Sequence, residues 1–252
     1  MKYYVASDVH GFYSEFYQSL DEAGFFTEKE PHKLILLGDL FDWGEEAVKM
    51  QDFILELMEQ NKVILIRGNH EDFYSELIVE DRGNRWLHHV INGTYDTALQ
   101  LTGFDSEKAS VCKYDFCEAA KKTPLWQKII PAMRNYYETR NYIFVHSWIP
   151  CIRKGRAYGY RADWRNASET EWEDARWYNG IDASNSVQAE KTVVCGHWHA
   201  SYGHACFGGR GSEFGENAIF TPYYGSGIIA IDAFTAYSGF VNVLVLEDEH
   251  EL

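Results

Sequence analysis

The chain of 252 residues is 46% hydrophobic, 24% charged and 16% aromatic, a globular balance that includes 8 Trp. Its formal net charge of −15 excludes the Lys/Arg stripe of a nucleic-acid surface. Any phosphate it handles must therefore be met by a few arginines or by bound metal. Five cysteines, at positions 112, 117, 151, 195 and 206, lie at scattered spacings with no CxxC pair, which excludes a disulfide framework and a zinc ribbon.

The N-terminal stretch MKYYVASDVH lacks the basic leader and apolar segment of a signal peptide, and no apolar run reaches membrane-span length. A cytoplasmic protein without membrane or nucleic-acid partners is expected. YYVAS at 3–7 reads as a short buried strand, followed by DVHG and a helix from about Ser14 to Ala23. HKLILLGD (32–39) is a second strand, and Val48, Phe53, Ile54, Leu57 and Met58 give a helix over about 45–60 its apolar face. KVILIRGNH (62–70) is a third strand. This alternation predicts an α/β layered fold with largely parallel strands. Residues 72–140 read as mostly helical, interrupted by Pro124 and Pro131, and NYIFVHS (141–147) as the next strand. The aromatic and charged stretch 150–190 has weak periodicity and is expected to form an insertion or lid within a single domain spanning 1–252. KTVVCGH (191–197), GIIAIDA (227–233) and FVNVLVLE (240–247) supply the last strands.

One pattern recurs along the chain: an apolar run ends, and its C-terminal tip carries ligand-type residues. These are Asp8 and His10, then Asp39 and Asp42, Asn69 and His70, His146, and finally His197 and His199. Loops at the carboxyl ends of strands in α/β sheets converge on one crevice. Borderline divalent ions accept imidazole nitrogen with carboxylate or amide oxygen, and no cysteine stands in the cluster. Alternation along a strand would send Asp8 and His10 to one side, and likewise His197 and His199. Seven ligands from among these nine residues are too many for one ion and suit two, with one carboxylate bridging, and two ions clamp the attacking and leaving oxygens of a phosphoryl displacement.

The set DVH (8–10), GDLFD (38–42), GNHE (68–71), VHS (145–147) and GHWH (196–199) resembles the calcineurin-like metallophosphoesterase superfamily. LIRGNHE, DVHGFYSEF and INGTYDTALQLTG (91–103) resemble its bacterial phosphoprotein phosphatase and diadenosine tetraphosphatase branch. The resemblance implies a four-layer α/β/β/α sandwich with a dinuclear site between the sheets. It implies one metal held by Asp8, His10, bridging Asp39 and His199, and another by Asp39, Asn69, His146 and His197. It also implies that His70 donates to the leaving oxygen, that Asp42 orients His70, and that the nucleophile is a metal-bridging hydroxide. Manganese is the first expectation for both ions; iron, zinc, cobalt and nickel suit the same donors.

The chain departs from that branch at two places. Trp43 stands where GDxxDRG has its phosphate-gripping arginine, and HSW replaces HGG or HAG. Arg161, Arg165, Arg176 and Arg210 are candidates for the missing grip, whereas Arg67 reads as a structural ion-pair partner. His204 reads either as a residue orienting a ligand or as an ordinary loop histidine. The aromatics of 158–178 read as a hydrophobic lid core, with stacking on a nucleobase as the alternative. The leading expectation is a Ser/Thr phosphatase-like phosphomonoesterase acting on a phosphoprotein or a small phosphomonoester. A hydrolase of dinucleoside polyphosphates or other nucleotides is the alternative, and a catalytically silent scaffold a remote third.

Overall fold

A computed structural model describes residues 1–79, 86–154 and 157–249. Residues 80–85 of the helical stretch, 155–156 of the expected insertion and the last three residues of the acidic C-terminus lie outside the described residues.

The strands are β1 (Lys2–Ala6), β2 (His32–Leu36), β3 (Val63–Leu65), β4 (Tyr136–Glu138), β5 (Tyr142–Val145), β6 (Ile152–Lys154), β7 (Ala157–Gly159), β8 (Thr192–Cys195), β9 (Tyr223–Gly225), β10 (Ile228–Ala230) and β11 (Leu244–Glu247). They form a sheet of order β11-β1-β2-β3, another of order β4-β5-β8-β10-β9, and the separate pair β6-β7. In each large sheet the inner strands run parallel, and an antiparallel strand is added at one or both edges: β11 on β1, β4 on β5, β9 on β10. The sheets are thus mixed rather than largely parallel. The antiparallel edges come from three- and four-residue strands, two of which join their neighbours through loops too short for a helical crossover.

Side-chain alternation sorts the strand residues into three apolar clusters. Tyr3 and Val5 of β1 share one with Ile35, Ile64, Phe144, Val194 and Ile229, so this cluster is built from residues of both large sheets. Tyr4 and Ala6 point the other way, with Leu34 and Leu36, onto Phe16, Leu20, Met50 and Ile54 of the helices Tyr13–Glu22 and Ala47–Glu59. The opposite face of the second sheet, through Ile143, Val193 and Ile228, packs on Trp148, Trp164, Trp172 and Ile181.

Trp164 and Trp172, from the stretch expected as an insertion or lid, are buried in that last cluster. The helix Glu169–Ala175 that carries Trp172 starts in a capping box between Ser168 and Glu171. The five cysteines form no disulfide among the described residues. No described helix is long and apolar enough to cross a membrane.

Candidate metal centre

The ligand-type residues lie just past the carboxyl ends of β1, β2, β3, β5 and β8. Asp8, His10, Asp39, Asp42, Asn69, His70 and His146 are all buried. Strand alternation does not deliver them. β1 ends at Ala6, and the chain then turns through left-handed backbone at Asp8 (φ 52°) and His10 (φ 50°). Asp39 (φ 52°), Asp42 (φ 74°), Trp43 (φ 61°) and His197 (φ 64°) do the same. Such angles are uncommon outside glycine and cluster where surrounding structure over-determines them. Here the tight turns fold short side chains back into one crevice.

Two glycines make the approach possible. A Cβ on Gly68 would lie 2.2 Å from Asp39 Oδ1, and one on Gly196 would lie 2.0 Å from Asp8 Oδ2. No side chain fits at either place.

Two groups of donor atoms result, His10–Asp39–His70 and Asp39–His146–His197, the atoms of each lying within 4.8 Å of one another. Asp39 belongs to both. Its Oδ2 lies 3.9 Å from His10 Nε2 and 3.5 Å from His146 Nε2. Asp8 Oδ1 is 4.0 Å from His10 Nε2. His146 Nε2 is 2.8 Å from Asn69 Oδ1 and 3.2 Å from His197 Nδ1.

The donor chemistry fits a divalent cation. His10 Nδ1 donates to the Phe41 carbonyl at 3.1 Å, and His146 Nδ1 donates to that of Leu37 at 2.8 Å. Each ring therefore turns an unprotonated Nε2 toward the crevice, as ligating histidines do. Burial, with neighbouring imidazoles adding to it, holds His10 and His146 well below the usual histidine range and His197 down at about 4. Burial pushes Asp8 up, reinforced by Asp232 and Asp39, and pushes Asp39 up to about 8. Neutral nitrogen lone pairs and crowded carboxylates converge here, an arrangement that a cation relieves.

His70 behaves differently. Burial opposes its charge, but Asp39 and a hydrogen bond from Nδ1 to Asp42 Oδ2 (2.8 Å) outweigh burial and raise its pKa to about 9.

His199 is placed apart. Its Nε2 lies 3.1 Å from Glu213 Oε1, and its ring packs between Phe214 and Phe234. His197 and His199 diverge because His197 takes left-handed backbone while His199 is extended at the start of the helix Ala200–Cys206. Trp198, between them in sequence, packs against His197, His199 and Tyr202.

Three residues that the motif reading left without a role stand beside the site. Glu71, the last residue of GNHE, accepts backbone N–H bonds from Gly68 (2.8 Å), Asp39 (3.0 Å) and Leu40 (3.0 Å), tying the GDLFD turn to the GNHE turn. Asp232 stands just past β10, buried, with its pKa pushed up to about 6 by burial. The strand-end rule that found the other residues also points to it. Glu213 sits in a glycine-rich loop, where nothing in the local sequence marks it.

The sequence profile described as calcineurin-like phosphoesterase matches residues 1–230. The chain belongs to that family. The family implies divalent ions at donor groups such as those above. The chain is similar to the asymmetrical bis(5'-nucleosyl)-tetraphosphatase PrpE of Oceanobacillus iheyensis, 23% identical over 60% of this chain and 57% of that protein. It is also similar to serine/threonine-protein phosphatase 2 of Escherichia coli, 32% identical over 33% of this chain and 36% of that one. The matches span less than two thirds of these curated relatives. In fold it resembles the cold-active protein-tyrosine phosphatase of a psychrophilic Shewanella, with a TM-score of 0.56 and 14% identity over 98% of this chain and 75% of that one.

Trp43 packs over one side of the crevice. Its indole stacks on His10 at 4.3 Å between ring centroids and stays 44% exposed. Trp177, 51% exposed, meets His197 edge-on at 5.8 Å. Three of the four candidate arginines are held by carboxylates. Arg161 pairs with Asp163 and Glu171, Arg165 with Glu138, and Arg176 with Asp72 and Glu169. Arg210 lies exposed three residues before Glu213, and among the described residues its side chain makes no such pair. Arg67 pairs with Asp72, as a structural partner should. His204 Nε2 bonds the Thr221 carbonyl at 3.0 Å, an ordinary packing contact.

Arg176 is 3% exposed and also donates to Asn135 Oδ1 at 2.8 Å, joining three segments of the chain. Arg176→Met should destabilise the fold by about 3 kcal/mol, the low end for a broken buried ion pair because Asp72 keeps Arg67. Urea unfolding checks this, and a loss below ~1 kcal/mol would contradict the structural role.

Proposed function

We propose that the protein is a dinuclear phosphoesterase of the four-layer α/β/β/α type, acting on phosphate monoesters. The observation that carries this reading is the membership of Asp39 in both donor groups. The layering is supported by the three apolar clusters, one between the sheets and one on each outer face. Asp8, His10 and Asp39 would hold one ion, and Asp39, Asn69, His146 and His197 the other, with manganese the first expectation. His199 would join the first set only by leaving Glu213. Bound there, two divalent ions supply positive charge for the phosphoryl oxygens and lower the pKa of water.

The chain's own residues do the rest. As hydroxide oxygen bonds to phosphorus and the ester P–O bond breaks, His70, held by Asp42, transfers its Nε2 proton to the departing oxygen, so that the products are a neutral alcohol and inorganic phosphate. Trp43 covers His10 and limits water access from that side. Arg210 is the candidate for gripping the phosphate from the loop that carries Glu213.

A second reading, hydrolysis of dinucleoside polyphosphates or other nucleotides, is favoured by Trp43 and Trp177, two half-exposed indoles at the rim. The tetraphosphatase relatives support it further. Phosphate release by manganese-loaded protein on a phosphopeptide, p-nitrophenyl phosphate and diadenosine tetraphosphate separates the readings. Faster turnover of the monoesters supports the first, and a dinucleotide rate far above both supports the second. Under the second, Trp177→Ala should raise KM for the dinucleotide roughly tenfold, the size of one lost stacking contact, and leave KM for p-nitrophenyl phosphate unchanged. Equal KM changes on both substrates would remove Trp177 from nucleobase recognition.

A further inference from the structure

INGTYDTALQLTG folds into the helix Thr94–Thr102, preceded by Gly93 in left-handed backbone. Thr94, Thr97 and Gln100 stand at i, i+3 and i+6, and so share one helix face. That face meets the turn 42–47. Thr94 Oγ1 donates to Asp42 Oδ2 at 2.7 Å, the same oxygen that faces His70 Nδ1. Thr97 Oγ1 donates to Asp42 Oδ1 at 2.9 Å and accepts the Asp42 backbone N–H at 2.9 Å. Gln100 donates to the Gly44 carbonyl and accepts from the Ala47 N–H, both at 2.9 Å.

Both threonines are fully buried. The helix start lies so close to the turn that a Cβ on Gly93 would fall 2.4 Å from the Trp43 nitrogen. Asp42 and Trp43 both hold left-handed angles, which an Asp tolerates and a Trp does so only where its surroundings impose it.

A carboxylate with one hydrogen-bond partner keeps rotational freedom about its side-chain torsions. Asp42 has none left: both oxygens and its backbone N–H are fixed by one rigid helix, and the remaining acceptor direction of Oδ2 is the one His70 uses. We propose that Thr94 and Thr97 are positioning residues that fix Asp42 so that it presents His70 to the ester. This rests on the reading of His70 as the proton donor.

The test compares manganese-loaded Thr94→Val/Thr97→Val and Thr94→Ser/Thr97→Ser with wild type and His70→Ala. The substrates are p-nitrophenyl phosphate, whose leaving group needs little protonation, and phenyl phosphate, whose leaving group needs it. The valine double variant should lose about tenfold or more in kcat on phenyl phosphate, the size of a lost hydrogen bond to a charged group. It should lose under about threefold on p-nitrophenyl phosphate, a difference no merely structural role produces. KM and manganese content should hold, and the serine pair should restore the rate. Thr94→Val alone, which keeps the Asp42 N–H bond to Thr97, carries the comparison if the double variant does not fold. Equal losses on both substrates, or wild-type rates on both, overturn the proposal, provided His70→Ala discriminates between them. Equal losses in His70→Ala itself would instead bring down the proton-donor reading, and the positioning role with it.

Discussion

Asp39→Asn should lower phosphoesterase activity by more than about 100-fold, because even residues that only orient a metal ligand are worth 10–100-fold. The substitution keeps the shape and the Oδ1 that accepts the His70 backbone N–H at 3.0 Å, so the turn should survive. What it removes is the shared negative charge, at the one residue common to both donor groups. Metal content should fall for both ions together.

The same variant should have the opposite effect on chelator-treated protein. Burial raises Asp39 to about 8 in the folded state, against about 4 when unfolded. The folded state then binds the extra proton, so stability through this group falls as pH rises from about 4 to about 8. Asparagine carries no such charge, and metal-free Asp39→Asn should unfold at higher urea than metal-free wild type at neutral pH. An active, metal-replete variant, or one less stable without metal, would refute the bridging assignment.

His70→Ala should keep its metals and lose on the order of 10²–10⁴-fold in turnover of an ester with a poor leaving group, the range for one general acid. His70 also falls in a donor group with His10 and Asp39, its Nε2 4.0 Å from Asp39 Oδ2, so a role as ligand is the rival. A ligand role would require the ion to displace the His70 proton, so the metal content of His70→Ala separates the two. Loss of manganese from His70→Ala would favour the ligand role. Retention with a rate loss greatest on poor leaving groups supports the proton donor.

The nine strand-end residues were legible in sequence because parallel strands announce themselves as apolar runs and their carboxyl ends must converge. The mechanism of convergence was not. Strand alternation suggested it for Asp8 and His10, but left-handed turns achieve it, and φ leaves no trace in side-chain type when the residue is not glycine. His197 and His199 looked equivalent for the same reason. What separates them is Glu213, from a loop with no periodic signal.

The stretch 150–190 escaped pattern reading because its burial depends on isolated large aromatics, Trp164 and Trp172, rather than on a repeating face. β4, β9 and the β6-β7 pair were missed because three residues are too few for alternation to register. Glu71, Thr94 and Thr97 act through backbone amides and a carboxylate oxygen supplied from far along the chain. Such pairing is a property of the fold and not of any window of sequence.

The measurement that tests the dinuclear centre most directly is a titration of manganese into chelator-stripped wild-type protein, counting bound ions and phosphate release together. Two ions per chain, with activity rising as both sites fill, is the expected result. A single bound ion at full activity, or full activity with none, would contradict a centre built around a shared Asp39.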